Sequence, residues 1–287
     1  MSTGDRGPNG IVFADRSERG KLQFGGPQHL WFLHQILTQS FEDMQVGEAR
    51  EAALLTVHGR MVGFLEAVAI EEGVLCHFEP EQKETLPEAI GRYVLATQVT
   101  IDDVSDEMGL VLVAGEGYED LAHGHATRPI VHSTESLGVP AAYLWVGRSD
   151  VQGLMLSLDS RGARQAAEDE LEAIRIANGR PRWGRDMDEK SLPQETRIDE
   201  RAVHYEKGCY VGQEAMAKIH FRGKVNRKLR TLEIQTAAAP GADVQHNGET
   251  VGNITSAADN RALALLRHTI EPGTQVTVGA ASARVIE

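Results

Sequence analysis

The stretch Lys207-Gly208-Cys209-Tyr210-Val211-Gly212-Gln213-Glu214 sets one of the chain's two cysteines close to two glycines, with a lysine before it and an amide and a carboxylate after it. Glycine lets a backbone approach a ligand closely or take up positive φ. A lysine two residues before the sulfur favours thiolate over thiol. The same residues also describe a buried, inert cysteine in a tight turn, the usual state of a free cysteine. What surrounds the stretch favours a working site. Residues 201 to 230 carry Arg201, Lys207, Lys218, Arg222, Lys224, Arg227, Lys228 and Arg230 against only Glu206 and Glu214, a net +6. The whole chain is −13, which leaves −19 outside this window. A basic island on an acidic protein is a focus for an anionic ligand, with a solvated basic face as the alternative.

At 287 residues the chain suits two or three domains, taking about 100–150 residues for each. With 41% hydrophobic and 25% charged residues it reads as a soluble globular protein. Its acidity argues against direct nucleic-acid binding and leaves the basic window as the one RNA candidate. No apolar run follows Met1 to Gly10 that could serve as a signal sequence or a membrane span, and the segment has no transit-peptide character, so the expectation is a cytoplasmic protein. Cys76 and Cys209 form no C-x-x-C pair, which points away from a zinc site or a disulfide framework. Two thiolates are also too few for a four-iron cluster held by this chain alone. His123-Gly124-His125 has ligand-like spacing but no third ligand nearby.

Along the chain, Lys21 to Phe24 reads as a strand that Gly25-Gly26-Pro27 turns into a helix carrying Leu30, Leu33, His34 and Leu37 on one face. Residues 52–57 and 61–70 read as strands joined by His58-Gly59-Arg60, and 82–96 as a helix with Leu86, Ile90, Tyr93 and Val94 inward. Val74 to Phe78 is a strand that buries Cys76. Strands are expected at 99–104, 110–114, 141–146 and 153–158, and a helix over 160–177, N-capped near Asp159 or Ser160 and ended by Asn178-Gly179. Gly115-Glu116-Gly117 lacks the third glycine and the βαβ surroundings of a nucleotide turn. From Arg227 on, short strands at 228–234, 250–255, 262–266, 275–278 and 281–286 alternate with turns at Pro240-Gly241, Asn247-Gly248 and Pro272-Gly273. That rhythm is α+β in front and a small antiparallel barrel or sandwich behind.

Asp15-Arg16-Ser17-Glu18-Arg19-Gly20-Lys21-Leu22, the run from Arg175 to Gly184, Val251 to Ser256 and above all Lys207 to Glu214 followed by Arg222-Gly223 carry a resemblance. The chain resembles the glycine-cleavage T-protein (GcvT, aminomethyltransferase) superfamily, and within it the YgfZ-like folate-binding branch associated with iron–sulfur cluster assembly. The resemblance covers nearly the full length. It implies a three-domain cloverleaf with a central folate channel and a C-terminal antiparallel β-barrel. The domains would be 1–50 with 116–222 (folate-binding, α+β), 51–115 (inserted, α+β) and 223–287 (barrel). It further implies a tetrahydrofolate, or a folate derivative, with Trp183 offering a flat surface and Asp186 standing where relatives carry a pterin-binding glutamate. Tyr210, Gln213 and Glu214 would line the channel wall, and Arg222, with Lys207 and the basic island, would receive the anionic tail.

Aminomethyltransferases carry an aspartate pair after a Gly-Gly element, where this chain reads Gly59-Arg60-Met61-Val62-Gly63-Phe64. Without that carboxylate the folate adduct of glycine cleavage loses its proton-transfer and electrostatic partner, so the chain is not read as a true aminomethyltransferase. The expected function is a tetrahydrofolate-binding accessory factor for assembly or repair of iron–sulfur client proteins, with an indirect effect on tRNA thio-modification. Cys209 is its essential thiol, supported by Lys207, and acts by iron ligation, sulfur exchange or one-carbon chemistry. The alternative is a folate-dependent one-carbon transferase of the aminomethyl type.

Overall fold

The computed structural model describes residues 10–287, apart from the side chain of Arg222. The strands of its first part are β1 (Val12–Asp15), β2 (Gly20–Gly25), β3 (Ala49–Leu55), β4 (Met61–Ile70), β5 (Gly73–Phe78), β6 (Thr100–Asp103), β7 (Met108–Ala114), β8 (Ile130–Thr134), β9 (Ala141–Gly147) and β10 (Arg164–Gln165). The helices are α1 (His29–Ile36), α2 (Thr85–Gly91), α3 (Glu119–Ala122), α4 (Val151–Ser160), α5 (Glu168–Ala177), α6 (Pro193–Thr196), α7 (Asp199–Ala202) and α8 (Gln213–Arg222). None of them is long and apolar enough to cross a membrane. Two compact units result, one holding residues 10–33 with Phe41–Arg50 and Leu65–Leu171, the other His34–Ser40, Glu51–Phe64 and Glu172–Glu287.

In the first unit one sheet has the order β10-β1-β7-β9-β8, antiparallel except for the short parallel pairing of β1 with β10. Its apolar face packs Phe13, Val111, Val113 and Leu144 against Val151, Leu154 and Leu158 of α4. The second sheet runs β3-β4-β5-β2-β6. Every residue of β5 is buried, Cys76 among them, as a strand flanked on both sides requires.

Three elements differ from the sequence reading. Residues 153–158 are helix, not strand: Leu154, Leu156 and Leu158 alternate as a strand would, but Val151, Leu154 and Leu158 share one helical face and Leu156 is left 60% exposed. The helix expected over 160–177 is interrupted, because Gly162 turns with φ +95 and Arg164 donates its backbone N–H to Ile11, starting β10 before α5 begins at Glu168. The helix expected over 82–96 is only the seven residues of α2; Leu86 and Ile90 face inward, while Tyr93 lies beyond its end.

The second unit ends in a closed antiparallel barrel of β11 (Arg227–Ile234), β12 (Asp243–His246), β13 (Glu249–Ala258), β14 (Arg261–Arg267), β15 (Gln275–Val278) and β16 (Ala281–Val285), in the order β11-β14-β13-β12-β15-β16. Closure leaves no unpaired edge. Its interior is Leu232, Ile234, Val244, Ile254, Leu266, Val276 and Val285. Asn247 and Gly248 both have positive φ, as a two-residue hairpin turn between β12 and β13 demands. Within the barrel, β12 is the strand that the sequence reading lacked, since only Val244 in it is apolar; β1, β8 and β10 were not expected either.

Candidate functional site

The loop from Val203 to Gly212 joins α7 to α8, and Lys207 pins it. Its side chain is buried, and the ammonium donates to the backbone carbonyls of His34, of Leu37 at 2.6 Å and of Gln39 at 2.7 Å. Three N–H bonds meet three acceptors, which is how a buried charge is tolerated. The same nitrogen lies 5.0 Å from the centroid of the Tyr210 ring. Gln213 reaches back to donate to the Lys207 carbonyl at 3.2 Å. Gly212, the residue capping α8, has φ +84, and a β-carbon there would stand 2.5 Å from the Thr56 carbonyl oxygen. The loop is thus fixed at both ends, and Cys209 is displayed on it, exposed to solvent. The sequence reading gave Lys207 to the thiolate; its ammonium hydrogens go to the 34–39 carbonyls, so its visible work is to hold the loop.

Behind the loop lies an apolar cluster of Ala53, Leu55, Met61, Trp183, Tyr210 and Met216, with Phe64 packed against it. The start of β4 therefore contributes Met61 and Phe64 to the same core as Met216 of α8. Tyr210 is buried, and burial pushes its phenol up to about 12. Glu214 is exposed on the first turn of α8, and Arg222 is that helix's last residue.

Asp186 belongs to a separate polar network. Only 3% exposed, its carboxylate accepts from Arg175 Nη1 at 2.7 Å, the Arg182 backbone N–H at 3.0 Å, Ser256 Oγ at 2.8 Å and Thr255 Oγ1. Four donors fill the acceptor sites of two carboxylate oxygens. Arg175 completes the network with two bonds of 2.6 Å to Glu172, one of 2.9 Å to the Arg180 carbonyl and one of 2.9 Å to Ser256 Oγ. Burial alone would raise the Glu172 carboxyl, but hydrogen bonds and charge from Arg175 and Arg182 hold it below the usual carboxylate range. The run from Arg175 to Gly184 is thus the clamp joining α5 to β13 of the barrel.

One cluster escaped the sequence reading. In the first unit Glu66 of β4, His77 of β5 and His132 of β8 converge, all buried, with candidate ligand atoms within 4.8 Å of one another. Thr134 donates to Glu66 Oε2 at 2.9 Å. His132 Nδ1 accepts from the Trp145 indole N–H at 3.2 Å, and His77 Nδ1 faces Arg19 Nη1 at 3.0 Å. Indole and guanidinium only donate, so each neutral imidazole carries its proton on Nε2. Both Nε2 atoms are buried without a hydrogen-bond partner among the described residues, with Glu66 oxygens 3.3 Å from that of His132 and 3.7 Å from that of His77. In that tautomer the protons occupy the Nε2 lone pairs that a metal would need. His125 is likewise engaged, with Ser157 Oγ at 2.9 Å and the Leu121 carbonyl at 2.6 Å.

Comparison with known proteins fits this geometry. Residues 226–287 match the family model described as CAF17, C-terminal beta-barrel domain. The structure superimposes on the glycine cleavage system aminomethyltransferase T from Bartonella henselae with a TM-score of 0.85, at 16% identity, over 96% of this chain and 85% of that one. A putative chloroplastic transferase of Arabidopsis thaliana is 24% identical over 86% of this chain, which spans 62% of that relative's length. The tRNA-modifying protein YgfZ of Cronobacter sakazakii is 23% identical over 87% of this chain and 82% of its own. The fold is that of the glycine-cleavage T-protein superfamily, closed at its C-terminus by a six-stranded antiparallel barrel. Within that fold the chain is similar to YgfZ over most of its length and to the CAF17 C-terminal barrel over residues 226–287.

Proposed function

We propose that this protein is a tetrahydrofolate-binding accessory factor for the assembly or repair of iron–sulfur proteins, acting in the cytoplasm and affecting tRNA thio-modification through its clients. The observation that carries the proposal is a solvent-exposed Cys209 on a loop held by Lys207, Gln213 and Gly212, in the signature of its branch. A thiol that must meet iron or sulfur on another protein has to be displayed, and a fixed loop displays it without loss of entropy on encounter. The relative named as tRNA-modifying agrees with the downstream effect. The three-domain division at residues 50, 115 and 222 is part of the same proposal.

Folate recognition in this reading falls on fewer residues than the sequence suggested. Asp186 has its acceptor sites filled and Trp183 sits in the core, so neither fits a direct pterin contact. Gln213 and Glu214, with Arg222, are the groups we assign to the ligand, a carboxylate and an amide for ring N–H donors and a cation for the glutamate tail. When bound, the folate would supply one-carbon chemistry; the chain's own part is to bind it and to present Cys209.

Two measurements test the proposal. Calorimetric titration of tetrahydrofolate under anaerobic conditions should give saturable binding that Glu214→Gln weakens without lowering the melting temperature. Reconstitution of an iron–sulfur client should be lost in Cys209→Ser and kept in Cys76→Ser. Equal loss in both cysteine variants, or no folate binding by well-folded protein, would sink the reading.

A further inference from the structure

The end of α8, the start of β11 and the turn at His268 to Pro272 enclose a cavity of about 550 Å³, a size that holds a small organic ligand. Its wall carries Asp199, Glu200, Glu271 and Glu287 against Arg197, Lys224, Lys228 and Arg230, charges that cancel in sum but are unequally engaged. The four acids in its wall are all engaged: Tyr205 donates to Asp199 at 3.0 Å, Arg197 holds Glu287 at 2.7 Å and Glu200 at 3.3 Å, and Arg230 holds Glu271 at 2.9 Å. Lys224 and Lys228, exposed on the same wall, have ammonium groups with no hydrogen bond or ion pair among the described residues. These two lysines are therefore the charged groups of the wall left open to a ligand.

The cavity also has a flat surface. The His220 ring in its lining stacks on Tyr205 with centroids 3.7 Å apart and planes at 23°. Phe221 meets His220 edge-on, at 4.8 Å and 88°, and is itself 69% exposed. Phe221 lies outside the lining, so the flat surface a planar guest would meet is the exposed His220 ring.

We propose that this cavity binds a mononucleotide-like anion, a planar heterocycle continuing the Tyr205–His220 stack with its phosphate on Lys224 and Lys228. One ligand of that size fills the space, and the −19 carried outside the basic window repels a long polyanion. The site uses none of Cys209, Gln213 or Glu214, and takes from the basic island only Lys224, Lys228 and Arg230.

The test is calorimetric titration of AMP, adenosine and inorganic phosphate into the full chain. AMP should bind one to one and more tightly than either of its parts. Reversing both charges, Lys224→Glu with Lys228→Glu, should weaken AMP by roughly tenfold or more, and more so at low salt. His220→Ala should weaken AMP and adenosine and leave phosphate unchanged. These side chains are exposed, and an unchanged melting temperature will show that the variants fold. AMP binding no better than phosphate, or indifference to the double charge reversal, would overturn the proposal. So would competition between AMP and tetrahydrofolate, or binding of a ten-nucleotide oligouridylate that AMP does not displace.

Discussion

At the scale of single residues, the two cysteines are opposites. Cys209 is exposed, while Cys76 lies within the fully buried strand β5, where loss of solvation pushes its thiol up to about 12. Iodoacetamide should therefore add one label to the folded protein and a second only after denaturation, as read by intact mass. Cys209→Ser should take no label while folded; a label there would mean that Cys76 is reached through local opening. Asp186 invites a different measurement. Removing its carboxylate leaves the Arg175 guanidinium buried without its principal charge partner in β13's clamp, so Asp186→Ala should cost about 3–5 kcal/mol in urea unfolding. A loss of folate binding in that variant then reports on the clamp, and a cost below about 1 kcal/mol would show that the network relaxes around the gap.

At the scale of elements, the start of α8 depends on one backbone conformation. Gly212 holds φ +84, and an added β-carbon would meet the Thr56 carbonyl at 2.5 Å and the Leu55 side chain at 3.1 Å. Gly212→Ala should thus cost about 2–3 kcal/mol and loosen the loop, visible as faster amide exchange from Lys207 to Gln213. An unchanged exchange pattern would show that the turn is not what fixes the loop. This glycine was legible in the sequence because positive φ and close approach are what glycine is for. The barrel was legible too, from Asn247-Gly248 and the strands around it. Residues 153–158 were not, since Leu154, Leu156 and Leu158 satisfy a two-residue period and only burial shows that Leu156 stands outside the helical face. The surroundings of Asp186 were hidden for a related reason: the sequence gives its position in a motif but not the four donors that come to it from α5, its own segment and β13. Glu66, His77 and His132 gave no signal at all, because three separate strands bring them together.

At the scale of the whole molecule, that last cluster couples folding to pH. His77 is 1% exposed, and burial first, then Arg19, His132 and Lys21, hold its pKa well below 6.5. The groups facing it are Arg19 Nη1 at 3.0 Å, Glu66 at 3.7 Å, and the rings of His132, Tyr143 and Trp145 at 5.9, 4.4 and 5.6 Å. In the unfolded chain this imidazole titrates near its ordinary value, about 6.5. Above that pH neither state binds the proton and the group has no effect on stability. Below it the unfolded chain takes up a proton that the folded one refuses, so stability falls as pH falls, by up to about 1.4 kcal/mol per pH unit for one such group. His125, whose pKa burial also lowers, adds in the same direction. Urea unfolding between pH 7.5 and 5 should be level at the upper end and weaken from about pH 6.5 downward, and His77→Asn should remove roughly one proton's share of that slope. A variant as steep as the parent would place the acid sensitivity elsewhere and leave the Glu66 cluster as packing alone.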